Sequence, residues 1–308
     1  MDKLIMSFTI VAPLVIMMLC GAVLKKVNIL NDNALKSINK MLFRFLLPIL
    51  IFYNVYMSDL SDLIHIKTAL TGAGVLAVCF ITAIILVPLF EKDNRKRGVI
   101  IQGICRSNFV IFGIPLIVSI CGESVLGRVA IAVAIVIPVI NFFSVIALEI
   151  FRSSKSNILK ILKGIVTNPL IISSVLGLFA MASPIRFPGF IETTMRDLSR
   201  ITTPLALVML GASVNLKAVK KNKVQLALTL MGKLILVPAF GILVAKLMHF
   251  DKTNLSVFIS MFAPPTAVAS YIMAEQMGGD DELAAQIVAY GTVICIFTVF
   301  LWVLFVAV

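Results

Sequence analysis

The sequence predicts an all-α membrane protein of ten transmembrane helices, arranged as two inverted five-helix repeats in which the fourth and ninth helices are broken and cross. Three observations predict it. The chain is 60% hydrophobic and 14% charged, against roughly 45–50% and about 25% in soluble domains, so its solvent is a bilayer. Ten apolar runs, at about 30 residues per run and loop, account for all 308 residues and leave no room for a sizeable extramembrane domain. Proline-bearing motifs also recur at a common spacing in the two halves.

The first run, 4–24, holds about 21 apolar residues, longer than a signal-peptide core. No small-residue cleavage site follows before Lys25 and Lys26, so an uncleaved helix is expected. The second, 34–57, opens on Lys36, Lys40 and Arg44, a spacing that puts all three on one helix face. They are expected to anchor the helix at the headgroups, with a substrate vestibule as the alternative. The third, 67–90, ends in "ILVPLF", and the fourth, 98–121, contains "SNFVIFGIPL". The fifth, 126–151, and sixth, 158–182, qualify by length and apolarity. In the seventh, 190–215, Glu192 and Asp197 precede the apolar part, "TPLALVMLGASV". The eighth, 224–248, carries Lys233 and "LILVPAF"; the ninth, 255–278, has Pro264 and Pro265 near its centre; the tenth is 283–307.

Basic residues set the orientation. Four alternate connections, "KKVNILNDNALKSINKMLFR", "EKDNRKR", "FRSSKSNILKILK" and "NLKAVKKNK", hold 17 of the 27 Lys and Arg. The positive-inside rule makes these loops cytoplasmic, so both termini are expected outside the cell membrane. The acidic last loop, "EQMGGDDE", carries little weight in that rule. The net charge of +12 is therefore an orientation and headgroup signal, and no nucleic-acid partner is expected. Cys20, Cys79, Cys105, Cys121 and Cys295 have no paired spacing and read as packing residues, while His65 and His249 stand alone, so neither metal nor cofactor is expected.

Pro88 and Pro238 are 150 residues apart, and the same offset carries Pro115 onto Pro265; Pro48 and Pro204 lie 156 apart. These spacings suggest two halves, 1–155 and 156–308. Five is an odd number of spans, so the second half must run through the membrane upside down relative to the first. A proline in mid-span frees backbone groups that lipid cannot satisfy, so irregular backbone at that depth lines a cavity or is packed in protein. Broken fourth and ninth helices would present half-helix ends and loose polar groups to a ligand near the midplane. Asn108 and Pro115 in one, and Pro264, Pro265 and Thr266 in the other, are the candidate binding residues. The competing reading is that Asn108 and Pro115 only kink a buried helix.

The stretch "NFVIFGIPL" resembles "NTLVMGIPL" of the plant PIN-type auxin efflux carriers, with Asn, Gly, Ile, Pro and Leu in register. "TNPLIISSVLGL" (167–178) is similar to their "RNPNTYSSLIGL", and "PPTAVASYIMAEQMG" to "LPQGIVPFVFAKEYN", which places Pro265 on the crossover proline. The resemblance covers essentially the whole chain, without the long cytoplasmic loop of most plant members. That is the pattern of the bacterial branch of the auxin efflux carrier family, whose members are usually assigned to organic acids such as malate or malonate. The resemblance implies an inverted-repeat crossover fold in which helices 1, 2, 6 and 7 form a scaffold and helices 3–5 and 8–10 a moving transport domain.

Lys233 lies ten residues beyond Lys223, about 15 Å along a helix and hence mid-bilayer. A lysine there costs about 2.5–3.5 kcal/mol to insert, so it should face the protein interior. It could draw an anionic substrate to the crossover, or clamp the C-terminal carbonyls of the broken helices. Arg106, two residues before Asn108, either reaches the site or snorkels to the cytoplasmic headgroups, and snorkelling is expected. No Asp or Glu stands near the centre of any run.

Amides, freed backbone groups and one or two cations suit an anion. The expected function is a secondary active transporter of a small organic anion, malate-like or auxin-like, working by alternating access; the alternative is a cation- or sodium-coupled carrier of similar architecture. An enzyme is not expected, because no nucleophile and base pair is visible. The expected partners are the small organic anion and the lipid bilayer, with a homodimer left open.

Overall fold

The computed structural model describes residues 2–58, 66–152, 158–183, 186–214 and 219–307. Among these, every regular element is helical. The expected boundary between halves at 155/156, together with His65, Lys155 and Lys217, lies outside the described residues.

The elements are α1 (Asp2–Lys26), α2 (Asp32–Met41), α3 (Leu47–Tyr56), α4 (Ile66–Phe90), α5 (Asn94–Cys105), α6 (Ile114–Cys121), α7 (Leu126–Ile150) and α8 (Ile158–Val166). They continue with α9 (Pro169–Ala182), α10 (Gly189–Ser213), α11 (Val219–Met231), α12 (Val237–Leu247), α13 (Lys252–Phe262), α14 (Ala269–Gln276) and α15 (Asp281–Ala307). Single π-helical turns at Leu42–Leu46 and Gly232–Leu236 splice α2 to α3 and α11 to α12, and another at Phe109–Gly113 leads into α6. Each of these turns is followed by a proline at the start of the next helix. The proline removes a donor from a helix that runs on through the turn, and the bond just before it spans five residues instead of four, from Leu47 to Leu42, Ile114 to Phe109 and Val237 to Gly232. Helix starts are fixed by side-chain caps. Asn31 accepts from the Ala34 amide, Asn168 from Leu170 and Asp251 from Asn254, each satisfying an amide left over at a helix N-terminus.

Among the described residues, six helices are long and apolar enough to cross a membrane, or seven if α8 and α9, which meet at 52°, make one span. The other three expected spans miss that standard for identifiable reasons. Two are broken into halves, α5 with α6 and α13 with α14. The third, α10, carries Glu192, Arg196, Asp197 and Arg200 in its first half. Large apolar side chains such as Leu89, Phe179, Phe297 and Ile85 stand outward and more than half exposed, as lipid-facing residues must. The chain is a multi-pass, all-α membrane protein.

α1 and α10 approach closely. A Cβ on Gly21 would lie 1.9 Å from the Val208 carbonyl oxygen, and one on Gly211 only 1.8 Å from that of Met18. The two backbones therefore touch at a pair of glycines. α3 packs on α9, and α4 on α7. Lys36, Lys40 and Arg44 are all exposed on one side of α2 and the turn after it, while Asn39 between them is buried against Tyr271.

The 150-residue proline spacing does not join like positions. Pro88 is in the last turn of α4 whereas Pro238 opens α12, and Pro115 opens α6 whereas Pro265 lies between α13 and α14. Proline marks a helix start as readily as a break, so its position alone is a poor register. Helix ends recur more regularly. Tyr56 and Ser213, Phe90 and Leu247, and Cys105 and Phe262 are each last helical residues, and each pair is 157 positions apart.

Candidate functional site

Two interrupted helices meet back to back. α5 ends at Cys105 and α13 at Phe262, and the extended chain beyond each end pairs with the other. The Asn108 amide donates to the Pro265 carbonyl at 2.9 Å and the Ala267 amide to the Arg106 carbonyl at 3.2 Å. These two bonds bracket an antiparallel bridge between Ser107 and Thr266. Two strand fragments, each too short to pair within its own segment, thus satisfy one another at the crossing, where lipid could not. The break in the second segment follows from sequence. Pro264 and Pro265 have no N–H to offer the carbonyls one turn back, so α13 stops at Phe262.

Both first halves point their C-terminal carbonyls at the crossing, and side chains from elsewhere cap them. The Thr266 hydroxyl donates to the Gly103 carbonyl at 2.7 Å. Lys233, fully buried in the π-helical turn after α11, donates from Nζ to the Phe262 carbonyl at 3.2 Å. A cation suits this place, because the last carbonyls of a helix carry a partial negative charge. The second halves are held just as closely. A Cβ on Gly113 would sit 2.2 Å from the Ser260 carbonyl oxygen, so only glycine lets the turn before α6 rest on α13.

A cavity of about 80 Å³ opens beside the crossing. The crossing chain contributes Arg106 and Asn108; α3, α7 and α10 contribute Asn54, Asn141 and Thr203. The first turns after both breaks, at Phe109–Ile111 and Ala267–Ala269, also line it. Leading amides of a helix have no partner within it and carry partial positive charge, so both of these turns favour an anion. Arg106 is 5% exposed, and its Nε and Nη1 have no hydrogen-bond partner among the described residues. Among the described residues, no carboxylate lines the cavity. A larger groove of about 430 Å³ runs between α4 and α11–α12, but its described lining, of residues such as Val78, Leu228 and Phe240, is mostly apolar and carries no cation.

The sequence candidates are therefore divided. Arg106, Asn108, Pro264, Pro265 and Thr266 are all at the crossing and all buried. Pro115 is not: it is exposed at the head of α6, away from the cavity lining. The helix breaks seven residues earlier, and Pro115 sits just after the π-helical turn that leads into α6. Lys233 reaches the crossing from behind, through Phe262, and does not line the cavity. Arg106 does not snorkel: α5 ends one residue before it, and its side chain is buried at cavity depth rather than exposed at a surface. Asn54, Asn141 and Thr203 were not singled out from the sequence. The available signal was a lone amide within an otherwise apolar run, as in "IFYNVY" and "PVINFF".

Comparison with known proteins agrees with a transport role. A family model described as "Membrane transport protein" matches residues 6–303. Over 304 residues the chain is 22% identical to an uncharacterized transporter of Methanothermobacter thermautotrophicus, covering 95% of this chain and 96% of that protein. It is 23% identical to an uncharacterized transporter of Methanocaldococcus jannaschii over the same shares of both chains.

Proposed function

Since the chain belongs to the membrane transport protein family, which is the auxin efflux carrier family met in the sequence resemblance, we propose that it is a secondary active transporter of a small organic anion working by alternating access at the crossing. One observation carries the anion: Arg106 and the leading turns of two half-helices line a single cavity with no carboxylate among its described residues. Fixed positive ends and a fork of N–H donors complement a carboxylate without rearranging. The cation- or sodium-coupled alternative is less well supported, because no acidic ligand stands among the described residues of that lining.

The proposed architecture is ten spans in two inverted halves. The recurrence of helix ends at 157 positions, with Cys105 matching Phe262 at the two breaks, supports the repeat. The cavity lies between α3 and α10, which belong to the proposed scaffold, and the broken helices with α7, which belong to the proposed transport domain. A site between two bodies is what rocking of one against the other would expose to each side in turn. In this reading the carrier sits in the cell membrane with both termini outside.

The test is a thermal-shift screen of mono- and dicarboxylates on the purified protein, followed by counterflow of the labelled hit in proteoliposomes. A carrier exchanges labelled for unlabelled substrate and shows a transient overshoot. Stabilisation by amines or metal cations but by no carboxylate would overturn the anion reading.

A further inference from the structure

We propose that the cavity is built for a single negative charge: Arg106 is its carboxylate anchor, the carried species is a small monoanion, and a dicarboxylic acid is accepted only in its half-protonated form. This rests on the anion-carrier reading above and narrows it.

The guanidinium is the starting point. Arginine stays protonated in proteins, and a buried charge with no partner costs several kcal/mol. Arg106 is 5% exposed, its Nε and Nη1 are unpartnered among the described residues, and it lines the cavity. A bound carboxylate would supply both the counter-charge and two acceptors for the fork of N–H groups. Its main chain is engaged separately, the amide with the Gln102 carbonyl and the carbonyl with the Ala267 amide, so the side chain carries no evident structural duty.

Among the described residues, no other cation lines the cavity to neutralise a second charge. Lys233 is committed to the Phe262 carbonyl and lies outside the lining. Asn54, Asn141 and Thr203 are neutral. They can bond a hydroxyl or keto oxygen, and Asn141 Oδ1 is itself without a partner. The leading turns favour an anion but carry only partial charges, so among the described lining residues Arg106 is the one full charge. The net charge facing a ligand is that of Arg106. A dianion would therefore bury one uncompensated carboxylate. The volume points to a short acid as well, since about 80 Å³ falls well below the roughly 300–1,000 Å³ of sites for drug-sized ligands.

The experiment uses the full-length protein in detergent and four probes: propionate, succinate, monomethyl succinate and propionamide. Affinities are measured by calorimetry from pH 7.5 to 5. Monomethyl succinate has the same skeleton as succinate with one charge, and it should bind at least tenfold tighter at pH 7.5. Succinate should gain well over tenfold between pH 7.5 and 5, because its half-protonated fraction rises about tenfold per pH unit above the second pKa, which the first carboxylate holds above the values of Asp and Glu. The two monoanions should stay level over that range, and propionamide should not bind. In Arg106→Gln, binding of the monoanions should be lost while the melting temperature without ligand stays level or rises, because an uncompensated charge has been removed.

Succinate binding as tightly as its monoester at pH 7.5, with no pH dependence, would overturn the monoanion inference and leave the anion carrier standing. Unchanged affinity in Arg106→Gln would remove Arg106 as anchor. Failure of all three acids to bind would overturn both readings. If Arg106→Gln does not fold, the charge and pH series on the parent protein decides the question without it.

Discussion

Lys233 Nζ donates to the Phe262 carbonyl oxygen at 3.2 Å, joining the π-helical turn after α11 to the last residue of α13. The contact falls where a pair of prolines has stripped a helix end of its own donors. It makes Lys233 a fastening for the broken helix. Lys233→Met keeps much of the stem and leaves that carbonyl unsatisfied, a loss of about 1–3 kcal/mol that relief of the buried charge offsets in part. A lower melting temperature without ligand is therefore expected, with carboxylate affinity falling only as far as the fold loosens. An unchanged melt combined with a large loss of affinity would place Lys233 in the substrate site instead.

Asn108 contributes in two separable ways. Its backbone amide makes the bond to Pro265, which any residue but proline could supply, while its side chain lines the cavity and makes no capping bond. Asn108→Ala should stay monodisperse in detergent and melt near the parent. Its carboxylate affinity should fall by about tenfold or more, since a hydrogen bond to a charged group contributes about 1.5–3 kcal/mol. Asn108→Pro should lose the crossing itself and with it the folded peak on size exclusion. Equal ligand affinity in Asn108→Ala and the parent would take the amide out of the site.

What could be read from the sequence divides along physical lines. Depth in the bilayer follows from counting along a helix, so Lys233 was legible as a buried mid-span cation ten residues beyond Lys223. Its partner was not, because Phe262 is brought to it by tertiary packing. The break at Pro264 and Pro265 was legible from the missing N–H groups. Its counterpart at Arg106–Asn108 contains no proline, and Pro115 drew attention seven residues too far along. Arg106 was the hardest case. Hydropathy gives distance from the membrane surface but not direction, and the early end of α5 is what keeps this side chain at the cavity instead of at the headgroups.

The glycine pair between α1 and α10 carries a sharper stability expectation. A methyl group at Gly211 would be driven to 1.8 Å from the Met18 carbonyl oxygen, a backbone atom that cannot turn aside. Gly211→Ala should push the helices apart and cost about 1–3 kcal/mol or more, read as a lower melting temperature and a smaller monodisperse fraction. Gly74 is the control: nothing lies within 4 Å of its would-be Cβ. Gly74→Ala should be neutral or slightly stabilising, since alanine is the better helix former. Equal melting of Gly211→Ala and Gly74→Ala would contradict the close crossing.

Orientation in the membrane rests on the basic loops, and the structure indicates where to probe it. Lys92 and Lys221 are exposed in two of the four loops that hold 17 of the 27 basic residues. Neighbouring Asn222 is unsuitable, because it is 1% exposed and its side chain bonds to Lys96 and Gln286. Glu123, exposed at the start of the short turn between α6 and α7, should lie on the opposite side. With the five native cysteines replaced, single cysteines at 92 and 221 should react with an impermeant maleimide only after the cells are opened. A cysteine at 123 should react in intact cells. Removing one lysine leaves the rest of the basic bias in place, so the substitutions do not themselves reverse the topology they report. Labelling of position 92 or 221 from outside, with 123 protected, would invert the proposed orientation and put both termini in the cytoplasm.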